Sequence, residues 1–179
     1  MEKRLGNIII HSPGGTAAKS SSTYKLSLPS AWMNAMGITE ESRQAVLSFD
    51  GTAITITKKC GIEEFIRHNR EKGHRILLLR YYDGETLCST IAADVTVQNL
   101  CVEDSTDDLL HTAFGNNKAP SWEDYQAFLE DRCIPRARAG LRDYLETIGL
   151  EEYDTLEIIK KTSGRMAEDD QWIALEEVP

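Results

Sequence analysis

The sequence has no hydrophobic run of membrane-spanning length, and its first residues do not have the pattern of a signal peptide. A bilayer-spanning helix needs about 20 mostly apolar residues, and no segment of the 179 residues approaches that length. The opening MEKRLGNIII has neither the long apolar stretch nor the cleavage site of a secretory signal. We therefore expect a cytoplasmic protein with no membrane partner.

Motifs for catalysis, metal binding and nucleotide hydrolysis are missing as well. The four cysteines and four histidines are widely spaced, without a C-x-x-C pair or a zinc-ligand spacing. The loop PGGTAAKSSS superficially resembles a phosphate-binding P-loop, but that motif requires glycine where Pro13 and Ala18 stand. No recognisable motif combines a nucleophilic side chain with a general base. We therefore expect that the protein is not an enzyme and that it has no cofactor and no metal site.

Positive charge is scarce in the second half of the chain. Residues 81–179 carry eight Lys/Arg and twenty-two Asp/Glu, a net charge of −14, whereas residues 1–80 carry twelve and seven, a net charge of +5. This asymmetry predicts different partners for the two halves, because a basic surface attracts phosphates and an acidic surface repels them.

The segment 23–59, TYKLSLPSAWMNAMGITEESRQAVLSFDGTAITITKK, is typical of a strand, a short helix and a hairpin. Pro29 ends an alternating strand and suits the first turn of a helix, which Gly37 then terminates. Asp50-Gly51 is a strong hairpin signal between two alternating apolar runs. A further strand is predicted at residues 8–10, and a Gly/Ser-rich loop follows it.

With that first strand, residues 6–59 resemble the AbrB/MazE/SpoVT swapped-hairpin family of dimeric DNA-binding regulators and antitoxins. The resemblance implies a small β-barrel shared by two chains and double-stranded DNA as partner. The family pattern places a basic residue four positions before the strand-ending Pro29, and Lys25 occupies that position. The other candidate DNA contacts are Lys3, Arg4, His11, Lys19 and Arg43.

The remaining residues, 60–179, predict a second domain of mixed structure, which gives an α+β class with a small helical bundle at the end. A further boundary is allowed near residue 118. The expected elements are a helix from Ile62, strands over 75–82, 85–92 and 95–102, an acidic helix from Asp104, helices from Ser121, Pro135 and Asp154, and a lid carrying Met166, Trp172 and Ile173.

Two arginines near the start of a predicted helix are the candidate partner contacts of this second domain. Arg136 and Arg138 would oppose the helix dipole if they lay in a first helical turn. They can pair with the nearby Glu130 or Asp131, or bind an anionic partner. The block 121–173 is similar to a module of uncharacterised bacterial and phage proteins, a resemblance that implies no activity.

Two functions from different classes are compatible with these patterns. The first is a dimeric DNA-binding regulator or antitoxin, in which residues 1–59 bind DNA and residues 60–179 bind a second protein or signal. The alternative is an inhibitor resembling phage anti-CRISPR proteins. Its acidic second half would imitate nucleic acid and occupy the basic channel of a defence nuclease.

Overall fold

The computed structural model describes residues 2–11 and 22–179. The chain divides into two compact units, residues 1–59 (unit 1) and residues 60–179 (unit 2). Both helices and strands occur, which confirms the mixed α+β class. None of the helices in the described ranges has the length and apolar character needed to span a bilayer. The elements are β1 (Ile8–His11), β2 (Thr23–Leu26), α1 (Ser30–Ala35), β3 (Ala45–Phe49), β4 (Ile54–Lys58), α2 (Ile62–Glu71), β5 (Ile76–Asp83), β6 (Thr86–Asp94), β7 (Asn99–Asp104), α3 (Trp122–Asp131), α4 (Leu141–Thr147), α5 (Thr155–Thr162) and β8 (Gln171–Val178).

Unit 1 contains two separate antiparallel hairpins, β1–β2 and β3–β4, with α1 between them. The predicted punctuation is confirmed. Pro29 precedes α1, and Gly37 follows its end with a φ of +67°. At the tip of β3–β4, Gly51 has a φ of +94°, and the Asp50 carboxylate accepts the Thr52 backbone N–H at 2.8 Å.

The described part of unit 1 does not form a closed barrel, because its strands pair only two by two. None of its described residues is buried. The swapped-hairpin barrel implied by the family resemblance therefore remains a proposal that requires a second chain.

Unit 2 is built on a four-stranded antiparallel sheet in the order β7-β6-β5-β8. Because side chains alternate along a strand, β5 supplies both faces of this sheet. Leu77, Leu79 and Tyr81 belong to the larger core, with residues of α3, α4 and α5. Ile76 and Leu78 belong to a smaller core with α2. The sheet thus lies between one helix and a layer of three helices.

The last element corrects a prediction. Residues 171–178 are not a lid over a terminal helical bundle. They form β8, which pairs with β5 along its whole length from Gln171 opposite Asp83 to Val178 opposite Ile76. This pairing satisfies backbone groups of β5 that an open sheet edge would leave exposed. It also joins the end of the chain to the strand that follows α2.

In the middle of unit 2, one predicted strand is present with a shifted start, and one predicted helix is wrong. The strand expected over 95–102 begins only at Asn99, because the fully buried Asp94 carboxylate accepts the backbone N–H groups of Thr96 and Val97 and forms a turn. The acidic helix expected from Asp104 is absent. Residues 105–120 form turns and bends instead, because side chains such as Asp108 accept nearby backbone N–H groups and compete with the helix.

The helices of the last third start at Ser121 and Asp154 as predicted, but not at Pro135. Ser121 and Asp124 form a reciprocal capping box, and the Asp154 carboxylate accepts the Glu157 backbone N–H at 2.9 Å. Between them, α4 begins only after Gly140, whose left-handed backbone precedes the first turn. Arg136 and Arg138 therefore lie before a helix, and the helix-dipole argument does not apply to them.

A buried arginine connects the end of α3 to the start of β8. The Arg132 side chain is 7% exposed, and its guanidinium donates to both Asp169 oxygens at 2.6 and 2.9 Å. It also donates to the backbone carbonyls of Gly164 and Gln171 at 3.0 and 2.9 Å. The Arg132 hydrogen bonds lower the pKa of Asp169 below its ordinary value.

The Tyr125 hydroxyl in the core of unit 2 gives a stability prediction. Tyr125 is 2% exposed, and its hydroxyl has no hydrogen-bond partner among the described residues. Because a buried unsatisfied polar group is destabilising, Tyr125→Phe is expected to stabilise the protein by about 1 kcal/mol.

Tyr153→Phe is the matched control. It removes a bond to the Ile134 carbonyl at 2.9 Å and should destabilise by about 1 kcal/mol. Chemical denaturation of both variants measures the difference, and a loss of stability in Tyr125→Phe contradicts the prediction.

Candidate nucleic-acid interface

The β1–β2 hairpin has one apolar and one mixed face. In the antiparallel register Ile8 lies opposite Leu26 and Ile10 lies opposite Tyr24, so these four side chains share one face. Each of the four is 49 to 65% exposed in the single chain. Such a surface is unusual for a monomeric protein, in which large contiguous apolar patches mark interaction sites.

The opposite face of the hairpin carries the first predicted DNA contact. Lys25 lies opposite Ile9, and His11 lies opposite Thr23 on the same face. All four side chains are exposed. The structure thus places Lys25 and His11 together, and it adds Thr23, whose hydroxyl is a common type of phosphate ligand. Sequence reasoning missed Thr23, although the alternation of Thr23 and Lys25 along β2 was a signal for it.

The basic residues at the start of the chain lie beside α1. The guanidinium carbon of Arg4 is 5.9 Å from the centroid of the Trp32 ring, and the Trp32 indole N–H donates to Glu2 at 2.6 Å. Arg4 is therefore engaged in a cation–π contact. Lys3, which lies between Glu2 and Arg4 in the sequence, is exposed.

The two other predicted contacts do not join the Lys25 group. Arg43 is exposed and lines an open depression with Asn34, Ile38, Thr39 and Glu40. Lys19 lies outside the described residues.

The second hairpin of unit 1 also has an apolar face. Leu47 lies opposite Ile56, and Phe49 lies opposite Ile54. Leu47, Phe49 and Ile54 are 68 to 70% exposed. Unit 1 therefore presents two apolar hairpin faces to solvent in the single chain.

The two candidate partner contacts of unit 2 differ in their surroundings. Arg136 donates to Glu130 at 3.1 Å, and its guanidinium carbon is 4.0 Å from the centroid of the Tyr153 ring. Arg136 therefore pairs with a neighbouring carboxylate, which was the first of the two alternatives considered for it. Arg138 is exposed and forms no ion pair within the described residues.

Neither metal ligation nor similarity to known proteins adds to this site. Within the part of the chain that the structure describes, no group of three or more His, Cys, Asp or Glu side chains could hold a metal ion. Cys88 and Cys133 are buried thiols, and burial raises the pKa of Cys133 to about 11. Comparisons with protein families, with curated proteins and with solved structures find no match for this chain.

Proposed function

We propose that this protein is a homodimeric DNA-binding regulator or antitoxin. Unit 1 would bind double-stranded DNA, and unit 2 would bind a second protein or signal. The observation that carries the proposal is the two-sided character of the β1–β2 hairpin. One face is apolar and suited to burial against a second chain, and the other carries Lys25 and His11.

The dimer is supported by the absence of buried residues in the described part of unit 1. A folded segment of this size needs a core, a staple or oligomerisation to be stable. Its exposed apolar faces provide surface for such a core, because burying apolar area contributes about 25 cal/mol per Å². A second copy of the same chain has the matching faces, which favours a symmetric arrangement.

DNA as partner is supported by the charge of unit 1. Residues 1–59 carry seven Lys/Arg and four Asp/Glu, whereas residues 60–179 carry thirteen and twenty-five. The sequence resemblance to the swapped-hairpin family assigns DNA contact to Lys25. His11 and Thr23 on the same face offer further phosphate contacts.

Fluorescence anisotropy of the full chain with duplex DNA from its own gene neighbourhood tests this proposal. Log affinity is expected to fall with log salt at a slope of about −0.9 per phosphate contact. Lys25→Ala should weaken binding and make the slope shallower by about 0.9 for each phosphate that the variant no longer neutralises.

Lys72→Ala is the matched control, because it removes the same charge from an exposed position of unit 2. It should bind DNA like the unchanged protein. Equal weakening in the Lys25 and Lys72 variants would mean that only net charge matters. Failure of the unchanged protein to bind any such duplex at low salt would reject the proposal.

The inhibitor hypothesis has no comparable observation in its favour. At least eight carboxylates of unit 2, including Asp169, Glu176 and Glu177, form ion pairs with lysine or arginine. These eight carboxylates imitate a nucleic-acid backbone poorly, because a neighbouring lysine or arginine offsets their charge. Competition between the full chain and DNA for a basic enzyme, without direct DNA binding, would favour this alternative.

A further inference from the structure

Unit 2 contains a small cleft beside the buried Arg132. It is formed by the end of α3, the residues before α4, Tyr144 of α4, one side of α5 and the turn before β8. Its volume is about 150 Å³. That volume is enough for several waters or one small organic group, because a single water needs ~10–15 Å³ measured in this way.

The lining combines apolar side chains with hydrogen-bond donors. Ile134 and Ile158 are buried side chains of the lining. Arg138, Arg165 and Tyr144, each with hydrogen-bond donors, also line the cleft. Binding sites for small molecules commonly pair an apolar wall with a few polar groups in this manner.

The balance of charge in the cleft is positive, although unit 2 as a whole is acidic. Its charged lining residues are Arg132, Arg138, Arg165 and Glu168. The charge of Arg132 is compensated by Asp169. Arg138 and Arg165 form no ion pair with any described residue. The guanidinium carbon of Arg165 lies 5.1 Å from the centroid of the Trp172 ring. Two arginines without an ion-pair partner and one glutamate therefore line the cleft beside the compensated Arg132.

We infer that this cleft binds a small organic oxoanion, a phosphate or carboxylate group on a compact apolar body. Guanidinium groups match the oxygen geometry of both anions and can donate two parallel hydrogen bonds to them. The apolar body would contact Ile134 and Ile158. This site lies wholly within unit 2 and does not depend on DNA binding by unit 1.

Phenyl phosphate and benzoate are suitable probes, because each joins an anionic head to an apolar ring. Either probe at roughly 10 mM should raise the melting temperature of the full chain, the response expected of a site with a millimolar dissociation constant. Inorganic phosphate and phenol test the head and the ring separately and should each have a smaller effect. Potassium chloride at the same ionic strength should have none, which excludes general screening.

Variants locate the binding site. Arg138→Gln and Arg165→Gln should each weaken binding of the better probe about tenfold or more in calorimetric titration, the usual effect of losing a hydrogen bond to a charged group. Arg142→Gln is the control, since Arg142 is 90% exposed and pairs with Glu146 outside the cleft. Arg138→Lys keeps the charge and should lose less affinity than Arg138→Gln. Equal affinities in all four variants, or no response to either probe, would overturn the inference.

Discussion

Leu47→Asp is expected to abolish the dimer and to unfold unit 1, although Leu47 is 68% exposed in the single chain. Substitutions at exposed positions usually change stability by no more than about 0.5 kcal/mol. In a dimer that buries the β3–β4 face, the same change removes about 1.5–3 kcal/mol of leucine burial and adds the cost of placing a carboxylate in an apolar interface. Light scattering should give twice 20.1 kDa for the unchanged chain and a lower mass for the variant.

Leu110→Asp is the matched control for this experiment. Leu110 is 89% exposed and lies in unit 2, where no dimer contact is proposed. The control should keep both the dimeric mass and the melting temperature of the unchanged protein. A monomeric unchanged chain, or a Leu47→Asp variant as stable as Leu110→Asp, would remove the basis for the shared barrel.

Arg132→Ala is expected to destabilise unit 2 by about 3 kcal/mol or more, the effect of removing one partner of a buried ion pair. The substitution eliminates the bonds to Asp169 and leaves the Gly164 and Gln171 carbonyls without their donor. Arg142→Ala is the control. Its pair with Glu146 is exposed, and its loss should cost about 0.5 kcal/mol at most. Urea denaturation of the two variants measures both values.

The stabilisation by Arg132 should also depend on pH in a defined direction. Because the pKa of Asp169 is lowered in the folded protein, its contribution is complete above the unfolded value near ~3.9. It is lost as the pH falls through the lower folded pKa. The difference in stability between the unchanged protein and Arg132→Ala should therefore be smaller at pH ~3 than at pH ~7. A difference that grows on acidification contradicts this assignment.

Local signals in the sequence were sufficient for the elements with strong punctuation. The capping residues Ser121 and Asp154 start α3 and α5. The turn at Asp50-Gly51 joins β3 and β4, with a positive φ at Gly51. These signals succeed because their cause lies within a few residues of the chain, in a cap hydrogen bond or a left-handed turn.

The prediction of an acidic helix failed because contacts with distant residues add to the local side-chain hydrogen bonds. Ser105 donates its backbone N–H to the Cys88 carbonyl, and Ala113 donates its own to the Ser89 hydroxyl, so the acidic segment is held against β6 instead of forming a helix. The cleft could not be predicted from the sequence for a related reason. Arg138 and Arg165 are twenty-seven positions apart in the sequence and share a cavity only because of how α5 and the following turn pack.

Periodicity and charge are local properties, so they were enough to predict the alternating strands, the hairpin turns, the helix caps and the separation of a basic half from an acidic half. Contacts between distant segments were needed to show that residues 171–178 become an edge strand, that Arg132 is buried against Asp169, and that the apolar hairpin faces of unit 1 stay exposed in one chain. Each of these three features depends on which parts of the protein come into contact with one another. The free energy of burial belongs to the pair of surfaces in contact, not to either stretch of sequence alone.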